Sequence, residues 1–406
     1  ELKVLEQDHI QSIYMPNYKP NTESYAEIDE NGFNSPFKNP FSTFSIDVDA
    51  ASYSNIRRFI NNGQLPPKDA VKVEEMINYF DYDYEGPKGK HPFNVQHEVG
   101  RAPWNEDHYL MHIGIQGEKI EMDKLPASNI VFLLDVSGSM GAPNKLPLLQ
   151  KSLKLLVNEL RPEDRVSIVV YAGAAGEVLP STSGDNKREI LKALENLQAG
   201  GSTAGGAGIK LAYKIAQENF IEVGNNRIVL ATDGDFNVGA SSDKAMEDLI
   251  EEKRKSGVFL TVLGFGMGNY QDSKMEILAD KGNGNHAYID NILEAKKVLV
   301  NEFGGTLFTI AKDVKLQVEF NPGTVQAYRL VGYENRLLAD EDFNNDKKDA
   351  GELGAGHTVT ALYEVIPAGV NSSFKPVDDL KYQANQKPQE VINSTDLVTV
   401  KLRYKK

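Results

Sequence analysis

The chain has no cysteine among its 406 residues. Disulfides, cysteine-ligated zinc, iron–sulfur clusters and thiol catalysis are thereby excluded. It is also short of positive charge: 44 basic against 58 acidic residues give a formal net charge of −14. Binding a phosphate backbone requires a basic surface, so nucleic acid is excluded as a partner, whereas a cation remains compatible. No apolar run approaches the roughly 18 residues needed to span a bilayer. Neither a G-x-x-x-x-G-K-[ST] phosphate loop nor a G-x-S-x-G nucleophile elbow occurs. The chain opens at Glu1 with no initiator Met and no basic-then-apolar leader. That suggests a processed form or an engineered fragment, with any targeting signal, including a lipid anchor upstream, out of view.

What is present is an ordinary globular balance, 40% hydrophobic and 25% charged, on a length that admits two or three domains. Residues 1–40 are dense in Pro, Asn and Ser without a period, and read as a linker or tail, flexible or draped over the fold. Residues 41–127 carry period-2 stretches (Phe44, Ile46, Val48; Phe93, Val95, His97, Val99; Tyr109, Met111, Ile113, Ile115). Two helices lie between the first and second of these, one capped by Asp49 or Ser52 and reaching about Phe59, the other over about 69–79. From 128 to 304 the pattern changes. Ile130–Leu134, Val166–Val170, Ile228–Ala231 and Val258–Leu263 are continuously apolar, as parallel strands covered on both faces are. Between them run helical stretches, the clearest with Leu146, Leu149, Leu153, Leu156 and Leu160 at three-and-four spacing. After 305 alternation returns in Val314–Phe320, Val359–Val365 and Val398–Tyr404. The fold class expected is α/β: a doubly wound parallel sheet over 128–304, inserted in a β-sandwich that both flanks build, with the last flank (305–406) open to truncation.

The chemistry concentrates at strand ends. The first buried strand finishes in Leu134-Asp135-Val136-Ser137-Gly138-Ser139-Met140; Gly200-Gly201-Ser202-Thr203-Ala204-Gly205 follows later; a further buried strand finishes in Ala231-Thr232-Asp233-Gly234. Doubly wound sheets bind ligands beyond the carboxyl ends of their strands, where strand order reverses. Asp135 and Asp233 supply charge there, and Ser137, Ser139 and Thr203 supply neutral hydroxyls. These are hard oxygen donors, suited to Mg²⁺ or Mn²⁺, with Ca²⁺ not excluded by donor type. Gly138, Gly200 and Gly201 are expected to permit tight turns.

Asp-x-Ser-x-Ser with a distant Thr and a distant Thr-Asp-Gly resembles the metal-ion-dependent adhesion site of the von Willebrand factor type A (VWA) family, over about residues 128–304. The resemblance implies that Ser137, Ser139 and Thr203 contact the metal, that an Asp acts through water, and that an acidic group of a protein partner completes the coordination. Flanking stretches such as Phe44-Ser-Ile-Asp-Val-Asp-Ala-Ala-Ser-Tyr, Ala102-Pro-Trp-Asn and Gly356-His-Thr-Val-Thr-Ala-Leu-Tyr-Glu are similar to bacterial VWA proteins that are frequently exported lipoproteins of Gram-negative cells. This implies the periplasm or outer cell surface.

Other motifs are weaker. Asp47-Val48-Asp49 has the Asp-x-Asp form of haloacid-dehalogenase phosphatases but lacks the βαβ context; a strand end and helix cap account for it. Asp340–Asp346 lacks the Gly and the final Glu of an EF-hand loop and reads as an acidic surface loop. Gly264-Phe-Gly-Met-Gly reads as a strand-to-helix turn. Metal-dependent adhesion, not catalysis, is the function expected. A metal-dependent hydrolase and an assembly protein with a stabilising metal are the alternatives; the first lacks a general base beside the motifs.

Overall fold

A computed structural model describes residues 21–121, 124–202, 205–234, 243–302, 308–372, 374 and 394–405. In chain order the first flank holds β1 (Phe41–Ser45), α1 (Ala51–Asn61), α2 (Val73–Asn78), β2 (Phe93–Ala102) and β3 (Asn105–Gly117). The middle of the chain holds β4 (Ser128–Asp135), α3 (Leu146–Glu159), β5 (Arg165–Tyr171), β6 (Ala175–Ser183), α4 (Lys187–Glu195), α5 (Gly205–Glu218) and β7 (Asn225–Thr232). It continues with α6 (Asp243–Arg254), β8 (Phe259–Phe265), α7 (Asp272–Lys281), β9 (His286–Ile289) and α8 (Ile292–Lys296). The last flank contributes β10 (Thr309–Phe320), β11 (Val325–Val331), β12 (Gly351–Gly354), β13 (Thr358–Pro367) and β14 (Val398–Lys405).

The middle strands form one sheet in the order β6-β5-β4-β7-β8-β9. All its pairings are parallel except β5 with β6. Alternate residues of each strand face opposite layers. Ile130, Phe132 and Leu134 meet Leu146, Leu149, Leu153 and Leu156 of α3, with Ile190 of α4 and Ala295 of α8. Val131 and Leu133 meet Ile209, Ala212 and Tyr213 of α5, with Ile250 of α6 and Met275 of α7 in the same layer. Because both faces are covered, β4 is buried along its whole length, which is why its sequence shows no alternation. β6 and β9 are additional to the expected strands. β6 is largely polar and partly exposed and β9 is only four residues long, so neither stands out as an apolar run.

The flanks make two antiparallel sheets. β10 is bordered by β1 and β12 on one side and β14 on the other; the second sheet runs β11-β13-β3-β2. Phe44, Leu316, Val318 and Phe320 of the first sheet and Met111, Ile113, Ile115, Tyr363 and Val365 of the second share one core. Strands before and after the α/β block are therefore partners: β3 pairs with β13, and β1 with β10. The expected cap of α1 does not form. Its N-cap position is Ala50, with no side-chain cap. The Asp49 carboxylate instead accepts the His286 N–H at 2.8 Å, and the Ser52 hydroxyl donates to the Ala70 carbonyl at 2.7 Å. The helix start is spent on joining α1 to its neighbours. The second helix is shorter than expected, Val73–Asn78, after a 3₁₀ turn at Lys68–Ala70.

Candidate metal centre

The chain leaves β4 towards β5 on one side of the sheet, and β7 is added on the other side of β4. The crevice between the carboxyl ends of β4 and β7 is thus the switch point of strand order, where this class of sheet binds ligands. Asp135 is the last residue of β4, and Asp233 follows the last residue of β7.

Asp135 is fully buried. Its Oδ1 accepts the Ser137 backbone N–H at 2.9 Å and its Oδ2 accepts the Thr232 hydroxyl at 3.0 Å. The carboxylate therefore ties the first motif to the third. Ser137 Oγ and Ser139 Oγ lie 3.0 Å apart; Ser137 is buried and Ser139 half-buried. Gly138 N–H donates to the Gly201 carbonyl at 3.1 Å and Gly200 N–H to the Val136 carbonyl at 2.8 Å, so the Gly-Gly loop is laid against the serine loop. Of the three glycines expected to serve the turns, Gly201 is the one with positive φ, +80°; Gly138 and Gly200 are not held to glycine by conformation. Thr203 lies outside the described residues.

The two carboxyls are driven apart. Burial pushes Asp135 up to about 6, with Asp233 as a like-charged neighbour adding to the effect and the Ser137 and Thr232 hydrogen bonds opposing it. Burial acts the same way on Asp233, but the Lys145 ammonium, with Asn269 and Ser139, outweighs it and holds that carboxyl below the usual range. Lys145 Nζ donates to Asp233 Oδ2 at 2.8 Å and to Asn269 Oδ1 at 2.8 Å, and Asn269 Nδ2 donates to the same Asp233 oxygen at 3.0 Å. Lys145 and Asn269 were not expected from the sequence. One signal was there: Lys145 immediately precedes α3, at a helix N-terminus where a cation is unfavourable without a specific partner.

The residues suit a small hard cation. Octahedral ligands about 2.0–2.1 Å from Mg²⁺ stand roughly 3 Å from their neighbours, which is the spacing of the Ser137 and Ser139 hydroxyls.

A second group of carboxylates, unexpected from the sequence, sits where the α/β layer meets the flanks. Asp47, Glu75 and Glu276 each bring an oxygen within 4.8 Å of the others, a spacing that could hold an ion. Internal cations already occupy it. Lys72 Nζ lies 3.0, 2.9 and 2.8 Å from Glu75, Asp272 and Glu276, and Arg336 reaches Asp47 at 2.9 Å and Asp280 at 2.6 Å. The Asp47-Val-Asp49 motif belongs to this ion-pair seam. The histidines four apart on β3 are separately engaged: His108 with Glu364 at 2.5 Å, His112 with the Tyr84 hydroxyl at 2.6 Å. Asp340–Asn344 forms a surface 3₁₀ turn, and Asp346 pairs with Arg403.

Comparison with known proteins agrees with this architecture. The model of the von Willebrand factor type A domain matches residues 129–301, and one described as von Willebrand factor matches residues 19–112. A third, described as the C-terminal part of the uncharacterized protein YfbK, matches residues 305–406. The Escherichia coli (strain K12) protein described as uncharacterized protein YfbK is 48% identical over 393 residues, covering 95% of this chain and 68% of that protein. The chain belongs to the YfbK family. Within it the central sheet is a VWA domain. Inter-alpha-trypsin inhibitor heavy chain H3 of Homo sapiens is 24% identical over 257 residues, covering 58% of this chain and 28% of that protein. A solved von Willebrand factor type A structure from Catenulispora acidiphila aligns with a TM-score of 0.43 at 16% identity, covering 70% of this chain and 67% of that one. The chain thus spans two thirds of its E. coli relative and under a third of the heavy chain. Among the described residues no helix is long and apolar enough to cross a membrane.

Proposed function

We propose that this YfbK-family chain is a metal-dependent protein-binding module. Ser137, Ser139 and Thr203 would hold Mg²⁺, or Mn²⁺ or Ca²⁺ in its place, and Asp135 and Asp233 would balance its charge through water. When bound, such an ion supplies a Lewis-acidic position that an acidic group of a protein partner can fill. The observation that carries the reading is the 3.0 Å pair of serine hydroxyls at the switch point, beside two buried carboxyls. The protein's own work is positional. Asp135 locks the serine loop through the Ser137 N–H and the adjoining strand through Thr232, so the hydroxyls are held in place before any ligand arrives. An exported location at the periplasm or outer surface, as a lipoprotein, belongs to the same reading and rests on the sequence resemblance of the flanks.

The test is a pull-down from the envelope fraction of the native source, run with Mg²⁺, with EDTA and with Asp135→Ala. A partner captured only by the wild type with Mg²⁺ is expected, and far-UV circular dichroism should show Asp135→Ala folded. A partner retained equally in EDTA, or by the Asp135→Ala protein, overturns metal-dependent binding.

A further inference from the structure

Lys145 is built into the metal centre with unusual care. Its ammonium is almost fully buried and is shared between Asp233 Oδ2 and Asn269 Oδ1, 2.8 Å from each. Its aliphatic stem runs across Gly266, at the end of β8. A Cβ placed on that glycine would stand 2.3 Å from Lys145 Cε, 2.7 Å from Cγ and 2.9 Å from Cδ, and Gly266 has φ +84°. The middle glycine of Gly264-Phe-Gly-Met-Gly is favoured by its left-handed backbone and also leaves room for the lysine stem. Burying an ammonium is expensive unless it is paired, and this one also sits at the start of a helix, where the free N–H groups oppose a cation. A divalent-cation site gains affinity from negative charge, so a fixed ammonium on one of its two carboxylates works against loading.

We propose that Lys145 is a resident counter-ion that lowers the affinity of the Asp135–Ser137–Ser139–Asp233 centre for a divalent ion and, once an ion is held, leaves the centre with surplus positive charge that selects a carboxylate from the partner. The charge count carries the argument. Two carboxylates and one ammonium leave one negative charge, which a divalent ion converts to one positive charge; without the ammonium the loaded centre is neutral. A buried positive centre attracts an anion much more strongly than a neutral one at equal distance, because screening inside the protein is weak. Asn269 shares the ammonium and also donates to Asp233, so that carboxylate stays in place through side-chain contacts that do not depend on the lysine.

This inference rests on the proposed function, and the test separates the two. Mn²⁺ alone is titrated into the wild type, Asp135→Ala, Lys145→Met and Lys145→Gln, with free Mn²⁺ read by electron paramagnetic resonance. A fluorescent hexaglutamate peptide is then titrated into each at saturating Mn²⁺. Circular dichroism establishes that each variant is folded, and Lys145→Gln retains an amide donor for Asp233 should Lys145→Met fail to fold. Removing one charge across the low-dielectric site should tighten Mn²⁺ by at least about tenfold in both lysine variants, and weaken the peptide by a comparable factor. Mn²⁺ binding that weakens in both variants makes Lys145 a mere scaffold for Asp233 and overturns the inference while leaving the metal site standing. Unchanged Mn²⁺ or unchanged peptide binding overturns it as well. Equal Mn²⁺ binding by wild type and Asp135→Ala overturns the metal site itself.

Discussion

The strand-end centre and the ion-pair seam are both collections of buried carboxylates with a lysine among them, yet they are built for opposite ends. In the seam, Lys72 touches three carboxylates and Arg336 four, so each acid is answered from within the chain. The residues come from both sides of a junction: Asp47, Asp49, Lys72, Glu75 and Arg336 from the flanks, and Asp272, Glu276 and Asp280 from α7 of the VWA layer. That arrangement closes the junction and fixes its register. At the strand ends, one ammonium meets only one of the two carboxylates, Asp233, and the other oxygen donors are serine hydroxyls, one of them half-exposed. Acidic density alone does not mark an ion site. Under the proposed function, what distinguishes one is donor oxygens whose charge the protein leaves unbalanced on a side that solvent can reach.

The largest effect should follow from breaking the seam. Arg336→Met strands Asp47 and Asp49 in a buried setting and leaves the half-exposed Asp280 without its guanidinium, and removing one partner from a buried pair costs about 3–5 kcal/mol. The apparent unfolding midpoint should fall on the order of 10 °C in differential scanning calorimetry. Mn²⁺ affinity of the folded protein should stay within about twofold, since the carboxylates that Arg336 pairs with are not those at the strand ends and residues with no shared partners couple weakly. A loss of Mn²⁺ binding in step with stability would mean that the two regions are one electrostatic unit.

Glu352 sharpens the contrast from a third direction, because among the described residues neither of its buried oxygens has a hydrogen-bond partner. Burial pushes its carboxyl up to about 8, with Asp313 adding to the effect. The folded chain therefore keeps a proton that the unfolded chain has released. Stability from this group is full below the ordinary carboxyl range and is lost as pH rises towards about 8. His286 and His357, pushed down to about 4 by burial, act oppositely, but only below the ordinary histidine value near 6.5. Between pH 6.5 and 8 the carboxyl effect stands clear of them. Glu352→Gln should raise the midpoint at pH 8 by roughly 2–4 °C, with little change at pH 5, and should flatten the decline that Glu74 and Glu75, raised to about 7 and about 8, also feed. A melting profile parallel to the wild type from pH 5 to 8 sinks this account.

How far these regions were legible in the sequence follows from their physics. The central sheet was readable because strands covered on both faces must be apolar at every position, as Ile130–Leu134 is. The sandwich was readable because one wet face imposes alternation, as in Val314–Phe320. The convergence of Asp135, Ser137, Ser139 and Asp233 was readable because strand ends at a switch point concentrate them in short contiguous motifs. The seam was not. Lys72, Glu276 and Arg336 are more than two hundred residues apart at the extremes, and each alone is an unremarkable surface-type residue until the fold buries it. Lys145 escaped for a related reason, since its partners Asp233 and Asn269 come from two other strand ends. β12 was missed because four residues containing two glycines carry no period.

The smallest effect on the strand-end centre tests whether it is mechanically isolated from the strap at residues 22–24. Residues 22–24 run beside the loop after β8 that carries Asn269: Thr22 N–H donates to the Gly268 carbonyl at 2.8 Å and Ser24 N–H to the Tyr270 carbonyl at 3.0 Å. Glu23 fastens this strap. Its two oxygens accept Arg58 at 2.8 and 2.9 Å, and Oε1 also accepts the Gly268 N–H at 2.6 Å. Glu23→Ala removes the acceptor for Gly268 and leaves Arg58 without its carboxylate, while the seam and the serine loop keep every contact described above. Arg58 keeps Asn55, but losing its buried carboxylate partner should still lower the midpoint by roughly several degrees, and the Gly268 amide should exchange with solvent about tenfold faster, since local opening is governed by the contacts of that loop. Mn²⁺ affinity should shift by less than about threefold, because Asn269 keeps its bonds to Lys145 and Asp233. Exchange at Gly268 that matches the wild type would show that the Glu23 carboxylate does not hold the loop, and that residues 22–24 act on it through the Thr22 and Ser24 backbone hydrogen bonds.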